Sequence, residues 1–298
     1  MASGKVDNHD LRASALFDVS HLTAVVTGGA TGIGLMITQA LQSNGAKVYI
    51  TGRRQEVLDS TVKMYSTGPG QIIALPGDVS KKSEAVRLAK EIESREPNGI
   101  HLLVNNAGIA RDKNTLYPTN GQPDMSDPKA ISEHFLKSQE EQWIETMQTN
   151  VAGVYFMSMA FLPLLAKGRD VTPGYTSQVV NVSSISGAMK GPSMGQPAYA
   201  SSKAAATHVS RMLATIFKDV KVRVNVIAPG LFPSEMTAAR RATTTRARWQ
   251  SSRPTRQAGQ GWIRTWRRRF CSWRDGVGCS TMGRLSTRME ARHLSSPQ

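Results

Sequence analysis

Six short apolar runs rich in Val, Ile and Leu alternate between Leu22 and Ile227 with stretches of helical periodicity. That rhythm restricts the chain more than any other feature. Strands are expected over 22–28, 47–51, 71–75, 102–105, 178–182 and 222–227, and helices over 33–44, 53–65, 82–95, 139–165 and 198–217. Pro163 should bend the fourth helix near its end. Strands that are apolar throughout, not only on alternate residues, are buried on both faces, and strands separated by helices run parallel. The expected fold class is therefore α/β, a single doubly wound parallel sheet with helices on both faces.

At 298 residues the chain suits one large domain, over 22–242, preceded by an extension over 1–21. The extension mixes Asp7, Asp10, Arg12 and Asp18 and has no signal-peptide core. No apolar run approaches the roughly eighteen residues of a membrane span, so a cytoplasmic protein without a membrane partner is expected. Residues 1–242 hold no cysteine, which excludes a disulfide framework or a cysteine metal site there, and no metal is expected. Two connections, 109–137 and 186–197, are long, polar and glycine-rich. Both follow the carboxyl ends of strands, the edge at which open α/β sheets bind ligands, so they are expected to wall a substrate.

Residues 27–34 read TGGATGIG and fall between the first strand and the first helix. Gly28, Gly32 and Gly34, with Thr31 and Ile33 among them, permit a tight turn that brings backbone N–H groups and a helix N-terminus to a pyrophosphate, as in Rossmann-type sheets. The end of the second strand selects the cofactor. An acidic residue there would bind the ribose hydroxyls of adenosine and repel a 2′-phosphate, but this chain has Arg53 and Arg54. Guanidinium groups match a phosphate dianion in charge and fork geometry, which favours NADP(H); two solvated arginines at a helix start are the plainer alternative.

Tyr199 and Lys203 stand four residues apart, on one face of a helix. A phenol with a pKa near 10 is a poor acid–base catalyst at neutral pH, and moving it to about 7 takes on the order of 4 kcal/mol of preferential phenolate stabilisation. A close ammonium is a source of it. The company of this pair is more specific than the pair: NNAG at 105–108 ends the fourth strand, Asn150 lies within the long helix, Ser184 lies in the VSSISG that ends the fifth strand, and NVIAPG at 225–230 ends the sixth.

In this order the motifs resemble the short-chain dehydrogenase/reductase family in its NADPH-preferring type, over about 22–237. The resemblance implies a Rossmann-type fold, with Tyr199 as general acid, Lys203 as ribose anchor and phenol activator, Ser184 as hydrogen-bond donor to the carbonyl and Asn150 as support for a proton relay. It also maps Asp78 and Val79 to the adenine end of NADP(H), Asn105 to its adenosine side, and Pro229, Gly230 and Phe232 to the nicotinamide carboxamide. The chain is similar to fungal members and to reductases of 3-oxoacyl thioesters. That likeness implies reduction of a small-molecule ketone or 3-oxoacyl-type carbonyl, a place in secondary metabolism and a family-type homo-oligomer, although a fold-level analogy does not fix the ligand.

Residues 243–298 do not continue the pattern. They hold twelve arginines, no lysine and two acids, Asp275 and Glu290, and so carry ten of the chain's net charge of +15, together with four of its five tryptophans and both cysteines. Translated one base out of register, with CGN arginines and a TCN serine, 265–274 becomes an apolar helix and 288–291 permits Asp-Gly-Gly, the family's ending. The tail is therefore read as frameshifted and disordered, which puts the family-type oligomer in doubt. Two other readings stand beside this one. The chain as written is a catalytically silent or misfolded product, or Trp266, Arg267, Phe270 and Trp273 belong to a basic segment that binds nucleic acid by phosphate contacts and stacking.

Overall fold

In a computed structural model the chain is described over residues 17–172 and 174–232. The expected tail over 243–298, and with it the proposed frameshift and disorder, lies outside the described residues, as do the first sixteen residues of the extension. The end of that extension folds onto the domain, where Val19 donates its N–H to the Asn44 carbonyl at 3.1 Å.

Six strands, β1 (Thr23–Thr27), β2 (Lys47–Thr51), β3 (Gln71–Ala74), β4 (Leu102–Asn105), β5 (Gln178–Val182) and β6 (Arg223–Ile227), form one sheet in the order β3-β2-β1-β4-β5-β6. Every neighbouring pair is parallel. The apolar runs of β1, β4 and β5 are buried along their whole length, as strands covered on both faces require. β6 is the outer strand of the described sheet and is only half-buried throughout.

Helices α1 (Gly32–Gln42) and α2 (Gln55–Tyr65) connect the strands that step outward from β1 to β3. Helix α3 (Lys82–Arg95) crosses back to β4. Because such crossovers are right-handed, α1 and α2 cover one face, and α3 covers the other together with the helices that follow β4 and β5. The core on that second face joins Leu88 and Ile92 of α3 to Phe161, Leu165, Leu213 and Phe217, all fully buried. Cutting Phe161 back to alanine would cost about 3–5 kcal/mol, from lost burial and the cavity left behind.

The connection over 109–137 contains two short helices, α4 (Tyr117–Asn120) and α5 (Pro128–Phe135), which the sequence did not announce. Helix α5 starts where Asp127 accepts the N–H of Lys129 at 2.9 Å, with Pro128 at the first helical position.

The long helix differs from expectation in two ways. It is interrupted by a π turn (Gln148–Ala152) between α6 (Glu140–Met147) and α7 (Gly153–Val171). Pro163 sits inside α7, which runs on to Val171. The proline itself is exposed. The expectation that no run nears membrane-span composition is also corrected. By length and composition alone Glu140–Val171 could cross a bilayer, since an 18-residue stretch within it has a mean hydropathy of 1.5. Its apolar side is core, however, since Met157, Phe161, Leu164 and Leu165 are buried against the sheet and α3. Helix α8 (Pro197–Ile216) completes this face.

Candidate active site

The glycine-rich turn is built by three strand ends. Gly28 donates its N–H to the Thr51 carbonyl at 2.7 Å, tying β1 to β2. Thr27 Oγ1 accepts the N–H groups of Asn106 and Ala107 at 3.0 and 2.9 Å, and Asn106 Nδ2 donates back to the Thr27 carbonyl at 2.9 Å, tying β1 to β4. Gly28 and Gly32 take φ of +63° and +52°, which a side chain rarely allows. Helix α1 presses so closely on the turn that a Cβ on Gly34 would lie 2.0 Å from the Gly28 carbonyl oxygen.

Above the turn, at the carboxyl edge of the sheet, opens a cleft of about 420 Å³, within the range of cofactor sites. Among the expected cofactor residues, Gly28, Thr31, Arg53, Arg54, Asp78 and Val79 line it together. Gly32, Ile33 and Gly34 shape the turn without lining the cleft. Asn105 is not at the cleft: it is buried, and its Nδ2 donates to Asn181 Oδ1 at 2.9 Å and to Ser158 Oγ at 3.0 Å. It braces β4 against β5 and α7, and its expected place on the adenosine side is corrected to this interior network. Pro229 is buried, and its carbonyl accepts the Ile185 N–H at 3.0 Å, which holds the exit of β6 beside the turn that carries Ser184. Gly230 is exposed and Phe232 half-buried, and neither lines the cleft.

Sequence reasoning missed Thr51, Gly108 and Thr149 as cleft residues. Thr51 is buried, and its hydroxyl has no hydrogen-bond partner among the described residues. Its position just before Gly52 and Arg53 at a strand end was the available signal.

Gly108 links the cleft to the predicted catalytic residues, because a Cβ there would lie 3.2 Å from both Asn150 Oδ1 and Lys203 Nζ. Lys203, on α8, is buried, and desolvation lowers its pKa from 10.5 to about 8. It remains an ammonium at neutral pH, donates to the Val182 carbonyl at 2.8 Å and lies 5.8 Å from the centre of the Tyr199 ring. Ser183 Oγ donates to the Lys203 carbonyl at 2.7 Å, fastening the end of β5 to α8 one residue before Ser184. The Ser184 hydroxyl oxygen accepts the Ser186 N–H at 3.1 Å, an arrangement that leaves its own hydrogen to donate.

Asn150 lies in the π turn, which re-aims its side chain, and its amide is paired with the backbone of Ile109 in both directions at 2.8 Å. Nδ2 also donates to Ser202 Oγ at 2.9 Å. The structure thus brings Asn150, Tyr199 and Lys203 together beside Gly108 of the cleft, with Asn150 holding the backbone of Ile109.

The sequence model of the short chain dehydrogenases matches residues 22–245. The chain belongs to the short-chain dehydrogenase family. This short-chain dehydrogenase is 43% identical over 235 residues to the short-chain dehydrogenase/reductase PhomF′ of Diaporthe leptostromiformis, covering 76% of this chain and 75% of that protein. It is 36% identical over 224 residues to the rhamnolipids biosynthesis 3-oxoacyl-[acyl-carrier-protein] reductase of Pseudomonas aeruginosa, covering 74% and 77%. Among solved structures it resembles the Pseudomonas aeruginosa RhlG/NADP active-site complex, with a TM-score of 0.62, 33% identity, and coverage of 74% of this chain and 77% of that one. As a member of the family it is an oxidoreductase, an enzyme that acts on a small-molecule substrate.

Proposed function

We propose that this short-chain dehydrogenase reduces a ketone or 3-oxoacyl-type carbonyl to an alcohol with NADPH, as a cytoplasmic enzyme of secondary metabolism. The observation that carries the reading is the buried Lys203 ammonium set against the Tyr199 ring, beside a cleft whose far end holds Arg53 and Arg54. Similarity to the 3-oxoacyl-[acyl-carrier-protein] reductase and to the RhlG/NADP complex supports the substrate and cofactor classes.

The residues present fit the cofactor. The glycine cradle and the N-terminus of α1 would take the pyrophosphate, Arg53 and Arg54 the 2′-phosphate, and Asp78 and Val79 the adenine end. Bound NADPH supplies the hydride. The Ser184 hydroxyl donates a hydrogen bond to the substrate oxygen as it gains negative charge, and Tyr199 gives that oxygen its proton. The Lys203 ammonium, desolvated and therefore little screened, stabilises the phenolate that Tyr199 becomes.

The family match ends at 245, next to the break in composition at 243, and this supports reading the tail as out of frame. The test follows NADPH consumption with a panel of ketones and 3-oxoacyl thioesters, using the chain as written, a form with its tail read one base on, and Tyr199→Phe of whichever form is active. Turnover abolished by the Tyr199 change supports the mechanism, and turnover only in the re-read form supports the frameshift as well. Absence of turnover in both forms, with no rise in melting temperature on adding NADPH, sinks the reading.

A further inference from the structure

We infer that Asp112 and Ser202 are positioning residues that clamp the backbone of Tyr199 at both its N–H and its carbonyl. The inference rests on the reading of Tyr199 as the acid. Helix α8 begins at Pro197, which has no N–H, and Gln196 at the cap position caps none of it with its side chain. The first-turn N–H groups that the helix itself cannot pair are those of Ala198 and Tyr199. Both are taken by one carboxylate from far back in the chain: Asp112 Oδ1 accepts from Ala198 at 2.8 Å, and Oδ2 accepts from Tyr199 at 3.1 Å. Two oxygens on two successive amides fix that turn in translation and also in rotation about the helix axis. The side chain of Tyr199 projects from the second of those amides.

The other side of Tyr199 is held as well. Ser202 Oγ donates to the Tyr199 carbonyl at 2.7 Å and accepts from Asn150 Nδ2 at 2.9 Å. Asn150 in turn grips the backbone of Ile109, three residues before Asp112. The bonds close a ring that runs from Asp112 through Tyr199, Ser202, Asn150 and Ile109 back to Asp112.

Its cost is visible in the carboxylate. Asp112 is only 4% exposed, and burial raises its pKa against the pull of the two amides. An anion held out of water at a helix start suits geometry more than stability, because a local Ser or Asp at position 196 would cap the helix without that desolvation.

The test uses Asp112→Ala, Asp112→Asn and Ser202→Ala in the full chain, with two readouts. The first is the split between kcat for the carbonyl and KM for NADPH. Misplacing Tyr199 is expected to lower kcat by up to about 100-fold while KM for NADPH holds. The second is the titration of the Tyr199 phenol, taken as the ultraviolet difference against Tyr199→Phe. Ser202→Ala changes no charge and should move this titration to higher pH as the ring drifts from Lys203.

If Asp112→Ala does not fold, Asp112→Asn, which keeps one acceptor oxygen, and Ser202→Ala carry the test. Variants that lose only melting temperature, with kcat and the phenol titration unmoved, would overturn the inference. If the unaltered protein reduces no carbonyl, the proposed function fails, and the phenol titration still decides the clamp: a shift keeps it and no shift removes it.

Discussion

Lys203 donates from Nζ to the Val182 carbonyl at 2.8 Å, so a cation that desolvation disfavours is spent partly on the sheet and partly on the Tyr199 ring above it. Its folded pKa, about 8, lies below the ordinary 10.5. Between those values the unfolded chain binds the proton more than the folded one does, so stability rises with pH through that window. Below about pH 8 the whole burial penalty is present, on the order of 3 kcal/mol. Lys203→Met keeps the stem and removes the charge. Its unfolding free energy, measured by urea titration, should exceed that of the parent most at neutral pH, and the gap should close toward pH 10.5. The same variant should be inactive. A gap that does not change with pH would contradict the burial account.

Arg53 and Arg54 line the cleft just past the end of β2, and both are exposed residues. If they meet a 2′-phosphate, each contributes a charge-assisted hydrogen bond of about 1.5–3 kcal/mol. The double change to alanine should weaken NADPH roughly 100-fold or more and leave NADH nearly unchanged, as read by cofactor fluorescence titration. Equal loss for both cofactors would mean that the arginines only shape the start of α2.

Much of this was legible from residue order. The strands are runs apolar throughout, because a parallel sheet covered on both faces needs no alternation, and β4 and β5 lie where those runs fall. Arg53 and Gly28 were legible as cleft residues because each follows the carboxyl end of a strand, and Asp78 only through the family resemblance. Asn105 stands at such an end too, but its side chain points into the sheet interior, and position along a strand does not say which way the last residue faces. The π turn at Asn150 was invisible, since one extra residue in a helical turn leaves the apolar periodicity of its neighbours almost intact. Asp112 was hidden for another reason. Its partners are 86 and 87 residues away, and no local pattern marks a cap supplied from that distance.

Gly34 offers a test of the cradle. A Cβ there would meet the Gly28 carbonyl oxygen at 2.0 Å and Asn106 Nδ2 at 2.4 Å. The first neighbour is backbone pinned by the Asn106 amide, so it cannot yield without opening the turn. Gly34→Ala should lose about 1–3 kcal/mol of stability to overpacking and most of its affinity for NADPH. Thermal unfolding with and without the cofactor checks both. A variant that retained the cofactor-induced rise in melting temperature would show the turn to be softer than its contacts imply.

The two connections expected to wall the substrate are joined at Gly195. Thr115 Oγ1 donates to the Gly195 carbonyl at 2.7 Å, and Tyr117 donates its N–H to the Met194 carbonyl at 3.0 Å. His134 Nε2 lies 2.9 Å from the Thr115 carbonyl, an oxygen that can only accept, so this nitrogen carries the proton. These bonds hold three successive residues in the left-handed region: Ser193, Met194 and Gly195, at φ of 49°, 60° and 85°. The first two are not glycine and each costs about 1–2 kcal/mol there, so without its anchors the loop would relax. A Cβ on Gly195 would sit 2.0 Å from the Thr115 carbonyl oxygen, so Gly195→Ala must part the two walls. Thr115→Val removes one anchor, worth about 1 kcal/mol, and should raise KM for the carbonyl substrate roughly fivefold. Gly195→Ala should raise it further. KM for NADPH should hold in both variants, because none of these residues lines the cofactor cleft. Steady-state kinetics with each substrate varied in turn separates the cases. If both KM values rise together, the loop supports the whole site and does not set the fit of the carbonyl alone.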